Sequence, residues 1–162
     1  MAVKRERFWP GVLALILALA LSAQPLPDWA QVWRPDWIAL VMIYLAIHSP
    51  RQFILGSALL VGLLLDALYG TPLGQYALSL IICCYPALKL HLRLMLVPIW
   101  QTTLSAVLFT ALYQFMLFWC NGATGNDPGA ASYLAPLLSN AIVWPLVLAA
   151  LDRLRLGPRT KS

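Results

Sequence analysis

The sequence predicts an all-α polytopic membrane protein with six transmembrane helices and both termini in the cytoplasm. Three observations predict it. The 162 residues are 61% hydrophobic and only 10% charged, whereas a soluble domain is about a quarter charged and under half apolar. Mean hydropathy is +0.77. Finally, ten of the eleven Lys and Arg residues fall in four short clusters separated by apolar stretches: Lys4, Arg5 and Arg7; Arg51; Lys89 and Arg93; and Arg153, Arg155, Arg159 and Lys161. Two crossings between successive clusters put all four on one side, which is the positive-inside pattern. Only Arg34 falls outside it. The net charge of +5 then reads as loop charge attracted to anionic membrane lipid. No nucleic-acid-binding motif accompanies it, so no nucleic-acid partner is expected.

The first span is expected over residues 9–24, with Pro10 at the first helical position, where its missing N–H costs nothing. This stretch also mimics a signal peptide, with a basic start, an apolar run and small residues at Ala20, Ser22 and Ala23. The second span, residues 35–48, opens on Arg34-Pro35-Asp36-Trp37 and is shorter than the ~20 residues that cross a bilayer comfortably. Local thinning or longer neighbouring helices would accommodate it. The third span, residues 52–69, ends at Gly70, and Thr71 and Pro72 are read as N-cap and first residue of the fourth, residues 73–88. Lys89 to Arg93 forms an inner loop containing His91. The fifth span covers residues 94–119, followed by an irregular loop from Cys120 to Tyr133, rich in Gly, Asn and Asp. The sixth covers residues 134–151, with Pro136 near its start and Pro145 expected to kink it unless a neighbour supplies the missing hydrogen bond. Trp29, Trp33, Trp37, Tyr76, Trp119 and Tyr133 mark the outer boundary as an interfacial belt, and Trp9 and Trp100 the inner one. Trp144 does not fit the belt and reads as packing beside Pro145. The whole chain is a single integral membrane domain.

No hydrolase or transferase constellation appears, and no catalytic residue is assigned. His48 and His91 lie at inner loops, away from Asp66, and read as interfacial. Cys83, Cys84 and Cys120 lack metal-ligand spacing; the first two read as small apolar fillers. No phosphate-binding or dinucleotide glycine pattern is present, so neither a metal nor a cofactor is expected.

Asp66 is the one acidic residue inside an expected span, and intramembrane carboxylates are costly and usually functional. It lies about 5 Å below the outer interface by helical rise, on a ladder of spacing four: Ala58, Gly62, Asp66, Gly70. Small residues at that spacing let a second helix approach closely. Gly62, Gly70, Gly74 and Pro145 are therefore read as helix-packing positions. Arg34, against the charge rule, starts the second span at nearly the same depth. Asp36 lies in that helix's first turn, where a carboxylate complements the dipole. Gln114 and Asn140 fall within roughly 10 Å of the same interface. These five residues, Arg34, Asp36, Asp66, Gln114 and Asn140, make an expected polar cluster with a structural or partner-binding role. Within it an Arg34–Asp66 ion pair is expected, because each is the sole charge of its sign at that depth and an unpaired buried charge is costly.

The opening motif Arg34-Pro35-Asp36-Trp37 and the segment from Gly62 to Gly74, with Asp66, Gly70 and Pro72 inside it, resemble the rod shape-determining protein MreD family. So do Asn140, Trp144 and Pro145 in the last span. The resemblance implies a non-enzymatic subunit of the bacterial inner membrane that assembles the cell-wall elongation machinery. The implied partners are the single-span MreC protein and, through it, the actin-like MreB filament, the RodA glycosyltransferase and the elongation transpeptidase; a homo-oligomer is possible on this reading. The family's fold resembles that of substrate-binding subunits of energy-coupling-factor transporters. The rival reading is therefore a membrane subunit that binds a small molecule. Ala14, Ala18 and Ser22 match that class's small-residue face only weakly, and the outer loops, except Cys120–Tyr133, look too short to roof a solute pocket.

Overall fold

The computed structural model describes residues 8–25, 27–49, 54–125, 129 and 131–156. Among these residues the chain is all-helical. Seven helices follow in order: α1 Phe8–Ser22, α2 Asp28–Gln31, α3 Trp37–His48, α4 Ile54–Tyr69, α5 Gln75–Leu94, α6 Ile99–Thr124 and α7 Ala131–Leu156. Three stretches are long and apolar enough to cross a membrane: Gln75–Leu94, Ile99–Thr124 and Ser132–Leu154. Helices α1, α3 and α4 are apolar but shorter, at 15, 12 and 16 residues. Lys4, Arg5, Arg7, Arg51, Arg159 and Lys161 lie outside the described residues.

The architecture is organised around α3. Every residue from 38 to 47 is buried, and a helix that is apolar all round belongs in the middle of a bundle. α3 touches α1, α4, α5, α6 and α7. Its two ends are tied by polar groups, while the shaft between them is packed by Leu, Ile, Met and Ala.

α4 and α5 form a close hairpin. Ala58 and Gly62 face inward, and a Cβ added to Gly62 would collide with Cα of Ala77 and lie 2.5 Å from its amide nitrogen. The two backbones touch there because Gly62 has no side chain. Gly70 and Gly74 do something else. Both have positive φ, +64° and +100°, and nothing lies within 4 Å of an added Cβ. They are turn residues, not packing residues: Gly70 follows the last residue of α4, and Gly74 occupies the N-cap of α5. α5 thus starts at Gln75, two residues later than expected, and Thr71 does not cap it.

Three further boundaries differ from the sequence expectation. α5 continues through Lys89 to Leu94, so the expected inner loop is helical. Lys and Arg are good helix formers, and cations in the last turn, here His91 and Arg93, complement the helix dipole. Lys89 also rests its ammonium 5.0 Å from the Tyr85 ring centroid. α6 begins after Pro98 and runs on to Thr124, beyond the expected end at residue 119, until Gly125 stops it with φ +73°. α7 passes through Pro136 and Pro145 as one helix. Pro145 is exposed, so it is not a packing residue either. Its neighbour Trp144 is, at 0% exposure. Cys83 and Cys84 are likewise fully buried.

At the C-terminal end of α3 the Tyr44 hydroxyl donates to Asp152 Oδ1 of α7 at 2.6 Å, and the Tyr44 ring stacks on His48 with centroids 4.3 Å apart. Asp152 lies one residue past the expected sixth span, so a reading that weighed only Asp66 as a carboxylate partner for the histidines overlooked it. Tyr44→Phe keeps the stacking and removes the hydrogen bond. It should lower stability by about 1.5 kcal/mol, the low end of the range for a bond to a charged group, since Asp152 is half-exposed. Thermal unfolding in detergent, followed by circular dichroism, measures it.

Candidate functional site

The polar residues gather where α3 begins. Pro35 cannot donate a hydrogen bond and holds an extended approach to the helix, which delivers Asp36 to the N-cap position. Asp36 makes no side-chain cap bond to its own helix. Its carboxylate turns instead to two other helices. Oδ2 accepts from Gln114 Nε2 of α6 at 2.6 Å and from Asn140 Nδ2 of α7 at 2.9 Å. Asn140 returns the bond: its Oδ1 accepts the Asp36 backbone N–H at 2.9 Å. Asn140 and Gln114 are both buried, so this three-residue knot joins α3, α6 and α7 with matched donors and acceptors, as burial of polar groups requires.

Asp66 belongs to a second, separate assembly. It is 1% exposed and accepts three hydrogen bonds: Thr71 Oγ1 and Tyr76 N–H on Oδ1, at 3.0 and 2.9 Å, and Gly74 N–H on Oδ2, at 2.8 Å. The carboxylate at the end of α4 therefore caps the start of α5, placing negative charge on a helix N-terminus and filling donors the helix itself leaves open. The expected Arg34–Asp66 ion pair is absent. Arg34 extends its guanidinium to the carbonyl of Leu21 at 3.5 Å, and the carboxylate it acts on electrostatically is Asp36. Backbone amides eight and ten residues downstream, across the turn into α5, satisfy Asp66 instead.

Between these assemblies lies a cavity of about 280 Å³. Arg34, Asp36 and Gln114 line it, together with the rings of Trp37, Tyr69, Tyr76, Tyr113 and Tyr133. Trp37 and Tyr76 are half-buried and line the cavity. Trp29, Trp33 and Trp119 are exposed. One wall is braced by a relay: Gln75 Nε2 donates to Asn121 Oδ1 at 2.9 Å, and Asn121 Nδ2 donates to the Tyr133 hydroxyl at 3.0 Å. Tyr69 closes another side by donating to the Ser22 carbonyl at 3.0 Å. A cavity forms although most outer loops look too short to roof one: helix ends supply much of its wall, and Arg34, Pro35 and Asp36 of the loop before α3 and Asn121, Ser132 and Tyr133 of the excepted Cys120–Tyr133 stretch supply the rest. Tyr113 and Asn121 escaped sequence reading. Their signal was one of phase: Tyr113, Leu117 and Asn121 recur at spacing four on the face of α6 that bears Gln114. Among the described residues no group of three or more His, Cys, Asp or Glu side chains comes together as a metal site.

An all-helical bundle with long apolar helices, a central buried helix and a polar cavity at one end defines a class: an integral membrane protein with its polar residues gathered at helix ends. Residues 6–153 match the sequence model of the family described as rod shape-determining protein MreD, and the chain belongs to that family. It is 26% identical over 148 residues to the rod shape-determining protein MreD of Haemophilus influenzae, a match covering 91% of each chain. No solved structure matches the chain.

Proposed function

We propose that this protein is a non-enzymatic assembly subunit of the bacterial cell-wall elongation complex, crossing the inner membrane six times with both ends in the cytoplasm. The observation that carries the reading is the family match over residues 6–153, joined to the way the chain spends its buried carboxylates. Asp66 and Asp36 accept hydrogen bonds from neighbouring helices and hold the bundle together. Acid–base catalysis needs such groups within reach of a reacting proton. The charge clusters support a periplasmic position for the α3 start. Exposed Leu60, Leu64 and Leu68 on α4 give the bundle an apolar stripe at spacing four, suited to lipid or to a partner's membrane helix. The partners of this reading are an MreC-like single-span protein and, through it, the MreB filament, the RodA glycosyltransferase and the elongation transpeptidase.

Two measurements test it. Reporter fusions after residues 50, 91 and 158 should report cytoplasm, and fusions after residues 28 and 127 periplasm. Mild solubilisation and co-purification should recover the single-span partner and the glycosyltransferase by mass spectrometry. A periplasmic signal at residue 158 would end the six-span topology, and recovery of transport proteins in place of cell-wall proteins would end the assembly role.

A further inference from the structure

The cavity carries unused hydrogen-bonding capacity that the bundle's own architecture does not need. Tyr113 is 3% exposed and lines the cavity, yet its hydroxyl meets no hydrogen-bond partner among the described residues. The Tyr76 ring lines the same space, and its hydroxyl is in the same position. Asp36 commits Oδ2 twice and leaves Oδ1 open. Arg34 spends one N–H on a long 3.5 Å contact. These atoms are open to the cavity and not sealed inside the bundle, so a molecule that enters it can take up the bonds they leave unmade.

Charge, size and position narrow what that is. The cavity's charged walls are one cation, Arg34, and one anion, Asp36, two residues apart. A singly charged ligand would satisfy one and face the other, whereas a zwitterion satisfies both. An ammonium beside Asp36 would also lie among tyrosine rings, whose faces attract cations. A volume of about 280 Å³ equals that of roughly nine liquid waters, and it falls just under the range of drug-sized pockets. It holds a group of about ten heavy atoms, not a nucleotide. The cavity also lies at helix ends flanked by exposed Trp29 and Trp33, the side chains that settle at headgroup level.

We propose that this cavity binds a small zwitterionic group, with an anionic oxygen group on Arg34 and a primary ammonium between Asp36 Oδ1 and the hydroxyls of Tyr76 and Tyr113. Phosphoethanolamine has this form, whether as the headgroup of an ethanolamine phospholipid or as a free molecule. The inference depends on the protein residing in a membrane and not on which complex it joins.

The test uses the full chain in detergent. Native mass spectrometry reads retention of phosphatidylethanolamine against phosphatidylcholine and phosphatidylglycerol, and calorimetry reads binding of free O-phosphoethanolamine. Preferential retention of the ethanolamine lipid identifies the membrane as the source. Binding of the free compound identifies a soluble one. Tyr113→Phe removes a hydroxyl with no protein partner, so folding should be unchanged while affinity falls about two- to tenfold, the worth of one hydrogen bond. Arg34→Gln should weaken binding at least about tenfold, as loss of a charge-assisted bond does. Equal retention of all three lipids with no binding of the free compound would overturn the proposal. So would unchanged affinity in both variants.

Discussion

Asp66→Ala should leave little folded protein in the membrane. The carboxylate is buried and takes three hydrogen bonds, two of them from backbone amides at the α5 N-terminus, those of the N-cap Gly74 and of Tyr76. Bonds to a charged group contribute about 1.5–3 kcal/mol each, and their loss here leaves the α5 N-terminus with open donors. A total near 4 kcal/mol or more is expected, against a whole-protein stability of about 5–15 kcal/mol. Asp66→Asn retains one acceptor oxygen and should fall between. Yield of monodisperse protein after purification, and the melting temperature of what is recovered, read the effect. Wild-type yield and melting temperature in Asp66→Ala would refute the capping role.

The second large effect belongs to Gly62. Gly62→Ala already puts a methyl onto the backbone of Ala77, and backbone atoms have no alternative rotamer to adopt. Overpacking costs typically 1–3 kcal/mol and occasionally more, and with a helix axis as the obstacle the upper end applies; Gly62→Leu should exceed it. Gly122→Ala is the matched control. It lies in α6 with open space around its added Cβ and should be neutral or stabilising by up to about 1 kcal/mol. Thermal unfolding of both variants in one detergent separates close contact from a general intolerance of glycine replacement. Equal melting temperatures for the two would remove the close-contact reading.

Depth along a helix is readable from sequence, and partner choice is not. The rise per residue put Asp36, Gln114 and Asn140 at one level, and the structure brings those three together. It also put Arg34 and Asp66 at one level, and those two do not pair. The difference is what charge counting omits. Asp36 faces the side chains of other helices. Asp66 faces backbone amides of its own hairpin, which are donors that no composition records. The glycines divide similarly. Gly62 at the close approach and Gly70 at the turn occupy the same spacing-four ladder, but the conformation that separates their roles is a φ angle, visible only in the fold. The α5 extension was masked by its charge: Lys89 and Arg93 look like loop in a topology count and behave as helix in a chain that has cations to spare for a C-terminus. The polar residues beside the cavity were legible as a cluster, but the cavity itself was not, because a tyrosine at a helix end reads equally well as a membrane anchor.

The central helix has a consequence for how the protein is made. Twelve residues rise about 18 Å, while the hydrocarbon layer is about 30 Å thick. Released alone into the bilayer, α3 would leave its ends, Asp36 among them, below the headgroups, where unsatisfied backbone and charge are most costly. Gln114 and Asn140, the groups that satisfy Asp36, are translated 78 and 104 residues after it. On the six-span reading proposed above, membrane insertion and folding therefore cannot proceed as a succession of independently stable spans. The nascent chain must keep α3 at the insertion machinery, or in a thinned and hydrated patch, until the last two helices arrive.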